Sequence, residues 1–210
     1  MRTTYAAQDS DSLLRSHPIP PILINIVNTA LDACDGVKFH PGSTCSRCGG
    51  TLSGYDEREK RFAVLEEDDK TRPVTVIIQR SYCRTCKTIT SPPEPFYPGT
   101  RVGSPVVDLC RYLSKVMPYS RASTYVGRLG VHLDRWSARN YAMMQLPEIP
   151  SVDIFGMPIP VSIIALSTIA GSRQDTGSLT MEDVLTACNY PSKIAHPQKP
   201  SVRENEENHS

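Results

Sequence analysis

Cys45-Ser-Arg-Cys48-Gly49-Gly50 and Cys83-Arg-Thr-Cys86-Lys87 are two Cys-x-x-Cys knuckles placed at either end of a strand-like interval. A two-residue spacer lets a tight turn aim both thiolates at one cation, and two such turns supply four ligands. Four thiolates close a tetrahedron and leave no open position for water or substrate. The implied ion is therefore one structural Zn2+, held by Cys45, Cys48, Cys83 and Cys86. Two rival readings use the same residues. A mononuclear iron centre shares the ligand set, but it would carry electrons and would leave the basic region downstream without a role. A thioredoxin-like redox pair needs one Cys-x-x-Cys at a helix start after a strand, whereas both pairs here border strand-like runs. Cys34, Cys110 and Cys188 lie near apolar positions of helical segments, where buried thiols are common.

Working outward, residues 61–65 and 74–82 are rich in β-branched and aromatic side chains and flank the charged run 66–73. That pattern predicts a long hairpin with a charged tip, and 44–91 as a small zinc ribbon. Upstream, Ile19, Ile22, Leu23, Ile26, Val27, Ala30 and Leu31 recur at three-and-four spacing. They predict an amphipathic packing helix within 19–43, with Pro20 and Pro21 in its first turn and Gly36 past its end. Residues 1–18 are polar and read as disordered.

Downstream, the proline-rich segment 92–103 reads as an extended linker. Three helices follow in 104–146. The first starts at Ser104-Pro105 with an apolar face of Val106, Val107, Cys110, Leu113 and Met117. The second covers 120–129 and the third 134–144, joined through Gly130-Val-His-Leu133, which is a helix-turn-helix signature. Val131 would plug the joint, and Leu133, Ala138 and Tyr141 would face the core. Residues 147–190 read as a short α/β segment with a capping-box helix at 180–188, and 191–210 as a disordered tail. The expected class is α+β.

The chain has 210 residues and a net charge of +1, so attraction to an acidic partner has to come from local clustering. Residues 92–146 hold seven Arg or Lys against three acids, whereas 147–210 hold four against eight. The N-terminus lacks the basic-then-apolar order of a secretory signal, and the expected location is cytoplasmic, where seven cysteines point to metal or buried thiols rather than disulfides. The longest apolar stretch, 154–170, is broken by Pro158 and Pro160, which argues against a membrane span. No phosphate loop, Gly-x-Ser-x-Gly elbow or His-Glu-x-x-His occurs, and the five histidines are scattered. The expectation is a protein that is not an enzyme and has no small-molecule substrate.

In a helix-turn-helix the second helix of the motif enters the major groove. Arg135, Ser137, Arg139 and Asn140 would then reach bases or phosphates, since arginine pairs with guanine and asparagine with adenine. Ser120, Arg121 and Arg128 on the preceding helix are placed for backbone contacts. The plain alternative is a helical hairpin with a solvated charged face.

The run Cys45-Ser-Arg-Cys48-Gly, then Arg80-Ser-Tyr-Cys83-Arg-Thr-Cys86-Lys-Thr-Ile89, a proline-rich joint and a helix-turn-helix resembles the N-terminal DNA-binding half of prokaryotic insertion-sequence transposases, over residues 44–146. The resemblance implies recognition of duplex DNA. Transposases of that type also carry a ribonuclease-H-like domain with three metal-binding carboxylates, for which 147–210 is too short. End recognition without strand cleavage is the implied activity, in a transposase-derived or transcription-regulator setting. Two further readings remain: an adaptor that docks a recombinase or polymerase partner or forms a homodimer, and RNA binding through the ribbon.

Overall fold

The computed structural model describes residues 18–67, 70–147, 150–173 and 178–189. The terminal segments expected to be disordered lie outside these residues apart from Pro18. In chain order the elements are α1 (Pro21–Asp32), β1 (Lys38–Phe39), β2 (Leu52–Glu67), β3 (Lys70–Cys83), β4 (Ile89–Thr90), α2 (Ser104–Val116), α3 (Tyr119–Arg128), α4 (Arg135–Met143), β5 (Ser151–Ile154), β6 (Met157–Pro160), α5 (Val161–Ser172) and α6 (Met181–Ala187). The class is α+β. No helix among the described residues is long and apolar enough to cross a membrane.

The centre of the larger sheet is β3, flanked by β2 antiparallel on one side and by β1 (parallel) and β4 (antiparallel) on the other. Val74, Val76 and Ile78 alternate into the core, the period of two that marked this stretch as a strand. The hairpin is longer than the apolar pattern predicts. Its register runs from Leu52 opposite Cys83 to Glu67 opposite Lys70, so most of the charged run 66–73 is strand rather than loop. The polar residues 52–60 are strand as well. They form a two-stranded ribbon beyond the core, where cross-strand polar pairs such as the Arg80 guanidinium on Asp56 replace a buried face.

Two bulges interrupt the ladder, at Tyr55 and Phe62. Phe62 is unpaired yet fully buried, and its ring meets Phe96 edge-on at 6.0 Å. Gly103, which precedes α2, sits so close that an added Cβ would lie 2.4 Å from a Phe62 ring carbon. Gly103→Ala is therefore expected to lower stability by about 1–3 kcal/mol through overpacking, read as a shift in the urea midpoint.

The segment 92–103 is a packed connector rather than a free linker. Phe96, Tyr97 and Val102 are buried, the Gly103 N–H donates to the Phe62 carbonyl at 2.8 Å, and the Ser104 N–H donates to the Pro95 carbonyl at 2.8 Å. The aromatic pair among the prolines is what anchors it. The Tyr97 hydroxyl donates to Asp108 Oδ1 at 2.7 Å, and Asp108 is fully buried on α2. Burial, then the Asp108 charge, raises the Tyr97 phenol far above its usual range, so it remains a donor. Tyr97→Phe would deprive a buried carboxylate of a charge-assisted bond, with an expected loss of about 1.5–3 kcal/mol in the same urea assay.

The helices α2, α3 and α4 start and stop within a residue or two of the predicted bounds. Their joint, Leu129–Asp134, is stitched to β2: the Glu66 N–H donates to the Gly130 carbonyl and the His132 N–H to the Val64 carbonyl, both at 2.8 Å. Gly130 has φ +85° and an added Cβ would lie 2.6 Å from Asn28 Oδ1, so only glycine fits there. Val131, Leu129 and Ala138 are fully buried.

In the C-terminal region β5 and β6 form a hairpin, and α5 packs chiefly on α1. Thr180 caps α6 with a capping box completed by Asp183. One hydrophobic cluster runs from Ile19 on the N-terminal side to Cys188, so the segments on both sides of 92–103 share a single core.

Candidate metal centre and helical face

The long hairpin carries Cys83 at the end of β3 and brings it beside the first knuckle, because Leu52 pairs with Cys83. The Cys45 N–H donates to the Gly50 carbonyl at 2.8 Å and the Gly49 N–H to the Cys45 carbonyl at 2.9 Å, which closes the first turn. The second turn is closed by the Cys83 N–H on the Thr88 carbonyl at 2.9 Å. The residue after each second cysteine is left-handed, Gly49 at φ +72° and Lys87 at φ 57°, so the two knuckles share one backbone device. Gly50 has a different reason to be glycine: a Cβ there would lie 2.4 Å from Thr85 Oγ1 and 3.2 Å from Cys83 Sγ.

The four sulfurs lie within 4.8 Å of one another. Cys45 and Cys86 Sγ are 3.7 Å apart, and Cys48 and Cys83 Sγ 3.5 Å. A Zn–S bond of about 2.3 Å in a tetrahedron requires sulfurs about 3.8 Å apart, so the set matches a tetrahedral ion and is far too open for a disulfide at about 2.05 Å. The four residues fit a structural Zn2+. Cys45 and Cys83 are buried, and Cys48 is exposed.

The electrostatics of the bare thiols point the same way. The Thr88 hydroxyl, 2.9 Å from Cys86 Sγ, is the main cause that pulls the Cys86 thiol down to about 6. Backbone N–H groups of Arg47 and Cys48 lower Cys45. The Gly50 N–H favours the Cys48 thiolate, but Cys83, burial and the other sulfurs outweigh it and push Cys48 up to about 12. Four sulfurs this close cannot all ionise without a cation between them. By contrast, burial raises the thiols of Cys34 and Cys110, the latter to about 11, and their Sγ atoms face the carbonyls of Ala30 and Ala138. Those two are inert core groups.

On the helical face, Arg121, Arg128, Arg135, Arg139 and Asn140 are exposed and Ser120 is half-buried. Ser137 is otherwise engaged. Its hydroxyl donates to Asp134 Oδ2 at 2.6 Å and its N–H to Asp134 Oδ1 at 2.9 Å, so it completes the N-cap of α4 instead of offering a free donor. These same bonds hold the Asp134 carboxyl below the usual range. Arg128 stacks on Tyr125 at 5.2 Å and Arg135 on Tyr119 at 5.8 Å, which steadies both guanidinium groups near the surface. Two exposed residues escaped the sequence reading, Trp136 at 67% and Met143 at 76%. The signal was present: both lie opposite Ala138 and Tyr141 on the helical wheel.

Comparison with protein-family models, with curated proteins and with solved structures gives no match.

Proposed function

We propose that this chain is a DNA-binding protein in which a zinc ribbon, with one Zn2+ on Cys45, Cys48, Cys83 and Cys86, precedes a helix-turn-helix formed by α3 and α4. The ion is structural, because four thiolates leave no position for substrate. The observation that carries the reading is the charge of the outward face. Arg135 and Arg139 are exposed on α4, Arg121 and Arg128 are exposed on α3, and the acids beside them are engaged, Asp134 as a helix cap and Glu66 of β2 on His132. Arg135, Arg139 and Asn140 read or clamp the duplex from α4, and Arg121 and Arg128 position it from α3. The transposase-like sequence pattern supports the same reading and extends it to end recognition.

The stitched joint adds a mechanical reason. Because residues 130–132 bond to the β2 backbone at Val64 and Glu66, the core half of the hairpin and the reading helix are held in one frame, which preorganises the face.

The test is binding of zinc-loaded protein to labelled duplex DNA over a salt series. Affinity should fall steeply as salt rises, since each neutralised phosphate releases counterions. Negligible binding at low salt would sink the proposal. The adaptor reading has one observation in its favour, the exposed Trp136 and Met143, residue types enriched at protein interfaces. An apolar docking surface would respond little to salt, so the same series separates the two.

A further inference from the structure

The solvent face of α4 is ordered in an unusual way. Ala138 and Tyr141 point into the core, and at about 100° per residue the line opposite them passes through Trp136 and Met143, not through a charge. Asn140 and Arg139 stand to either side of that line, with Arg135 beyond. The helix therefore presents Trp136 and Met143 where a merely wet face would present its most polar side chains. Trp136 and Met143 are seven residues apart, about 10.5 Å along the axis, or roughly three base-pair steps of about 3.4 Å.

We infer that α4 reads thymine: Trp136 and Met143 contact the 5-methyl groups of two thymines about three base pairs apart, and Asn140 between them takes an adenine. This inference rests on the DNA reading above and adds its sequence preference, an A·T-rich major groove. The thymine methyl is the apolar feature of the major-groove code, and asparagine is the side chain that pairs with adenine N6 and N7. The partner is a polyanion rather than an apolar protein groove because exposed Arg135 and Arg139 flank the stripe and Asp134, the acid at the start of α4, is engaged as its cap. Arg135 and Arg139 then fall to the phosphates on either side of the bases read.

The test uses the zinc-loaded full chain and three labelled duplexes: an A·T-rich sequence, the same sequence with every thymine replaced by deoxyuridine, and a G·C-rich sequence. Each lost methyl contact is expected to weaken binding about fourfold, so about 15-fold for two. The double variant Trp136→Ala, Met143→Ala should bind the thymine and uracil duplexes alike. Both positions are exposed, so its thermal unfolding should match the parent. Trp136 is the only tryptophan of the chain, and its fluorescence should change more on the thymine duplex than on the uracil duplex. Equal affinity of the parent for thymine and uracil duplexes would overturn the inference and leave DNA binding standing. So would discrimination retained in the double variant. Binding to none of the three at low salt would overturn both.

Discussion

Replacing Cys83 by alanine, or stripping the metal with a chelator, is expected to open the distal half of the hairpin while its proximal half stays folded. Cys83 is fully buried, ends β3, and pairs with Leu52 at the start of β2. Around it, residues 43–60 and 79–90 contribute almost nothing to the hydrophobic core apart from the cysteines themselves. Structural zinc is worth about 10–16 kcal/mol in isolated finger peptides near pH 7, far more than a ribbon of exposed cross-strand pairs supplies. The proximal half is different, because Phe62, Leu65, Val74, Val76 and Ile78 are fixed by the core and by the helical joint. Amide exchange should therefore accelerate at 43–60 and 79–90 in Cys83→Ala and remain slow at 62–65 and 74–78. Elemental analysis should give one zinc per parent chain and none in the variant. Uniform unfolding would mean that the core depends on the metal. Cys86 and Cys45 are lowered in the folded chain, so their thiolates favour the folded state above the usual thiol range and lose that contribution as pH falls, for Cys86 through about 6, whereas Cys48, pushed up to about 12, acts in the opposite sense. Protons and metal compete for the same sulfurs, and zinc should be released on acidification.

What could be read from the sequence was what local spacing encodes. Cys45-x-x-Cys48 and Cys83-x-x-Cys86 name their own geometry because the turn that joins two thiolates is short. The helices α2 to α4 were legible from their apolar spacing and from Pro105, and Val131, Leu133, Ala138 and Tyr141 are buried as their positions in the joint and on α4 required. Non-local structure was not legible. The ribbon 52–60 has no alternation because neither of its faces meets the core, so nothing marks it as a strand except the partner across the ladder. The prolines of 92–103 dominated that segment, while the residues that bind it to the fold, Phe96 and Tyr97, act through Phe62 and Asp108, distant in sequence or one turn into the next helix. Ser137 carries the right chemistry for DNA, but its neighbour three residues back, Asp134, engages it first. That competition is local and could have been seen: an acid followed three residues later by serine at a helix start is a cap before it is a contact.

The Arg135→Ala, Arg139→Ala pair is expected to cost more DNA affinity than any other exposed change in the chain. Both side chains are exposed on the wetted side of α4, four residues and hence about one turn apart, so one duplex can meet both. If both bind phosphates, the slope of log affinity against log salt should become shallower by about 1.8, and the loss should be uniform across sequences. If either pairs with a guanine, that contact is worth about 1–3 kcal/mol and its loss relaxes preference at a single position. Together the two truncations should weaken binding by about a hundredfold at moderate salt, with little change in thermal stability because neither guanidinium supports the core. The slope decides which role each plays, and the magnitude decides whether α4 is the reading helix at all. A double variant that binds as the parent does would move the contact to Arg121 and Arg128 on α3, or to the ribbon, whose Arg58, Arg61 and Arg84 are also exposed. In that case α4 would have to be a docking face, and the apolar line through Trp136 and Met143 would meet another protein rather than bases.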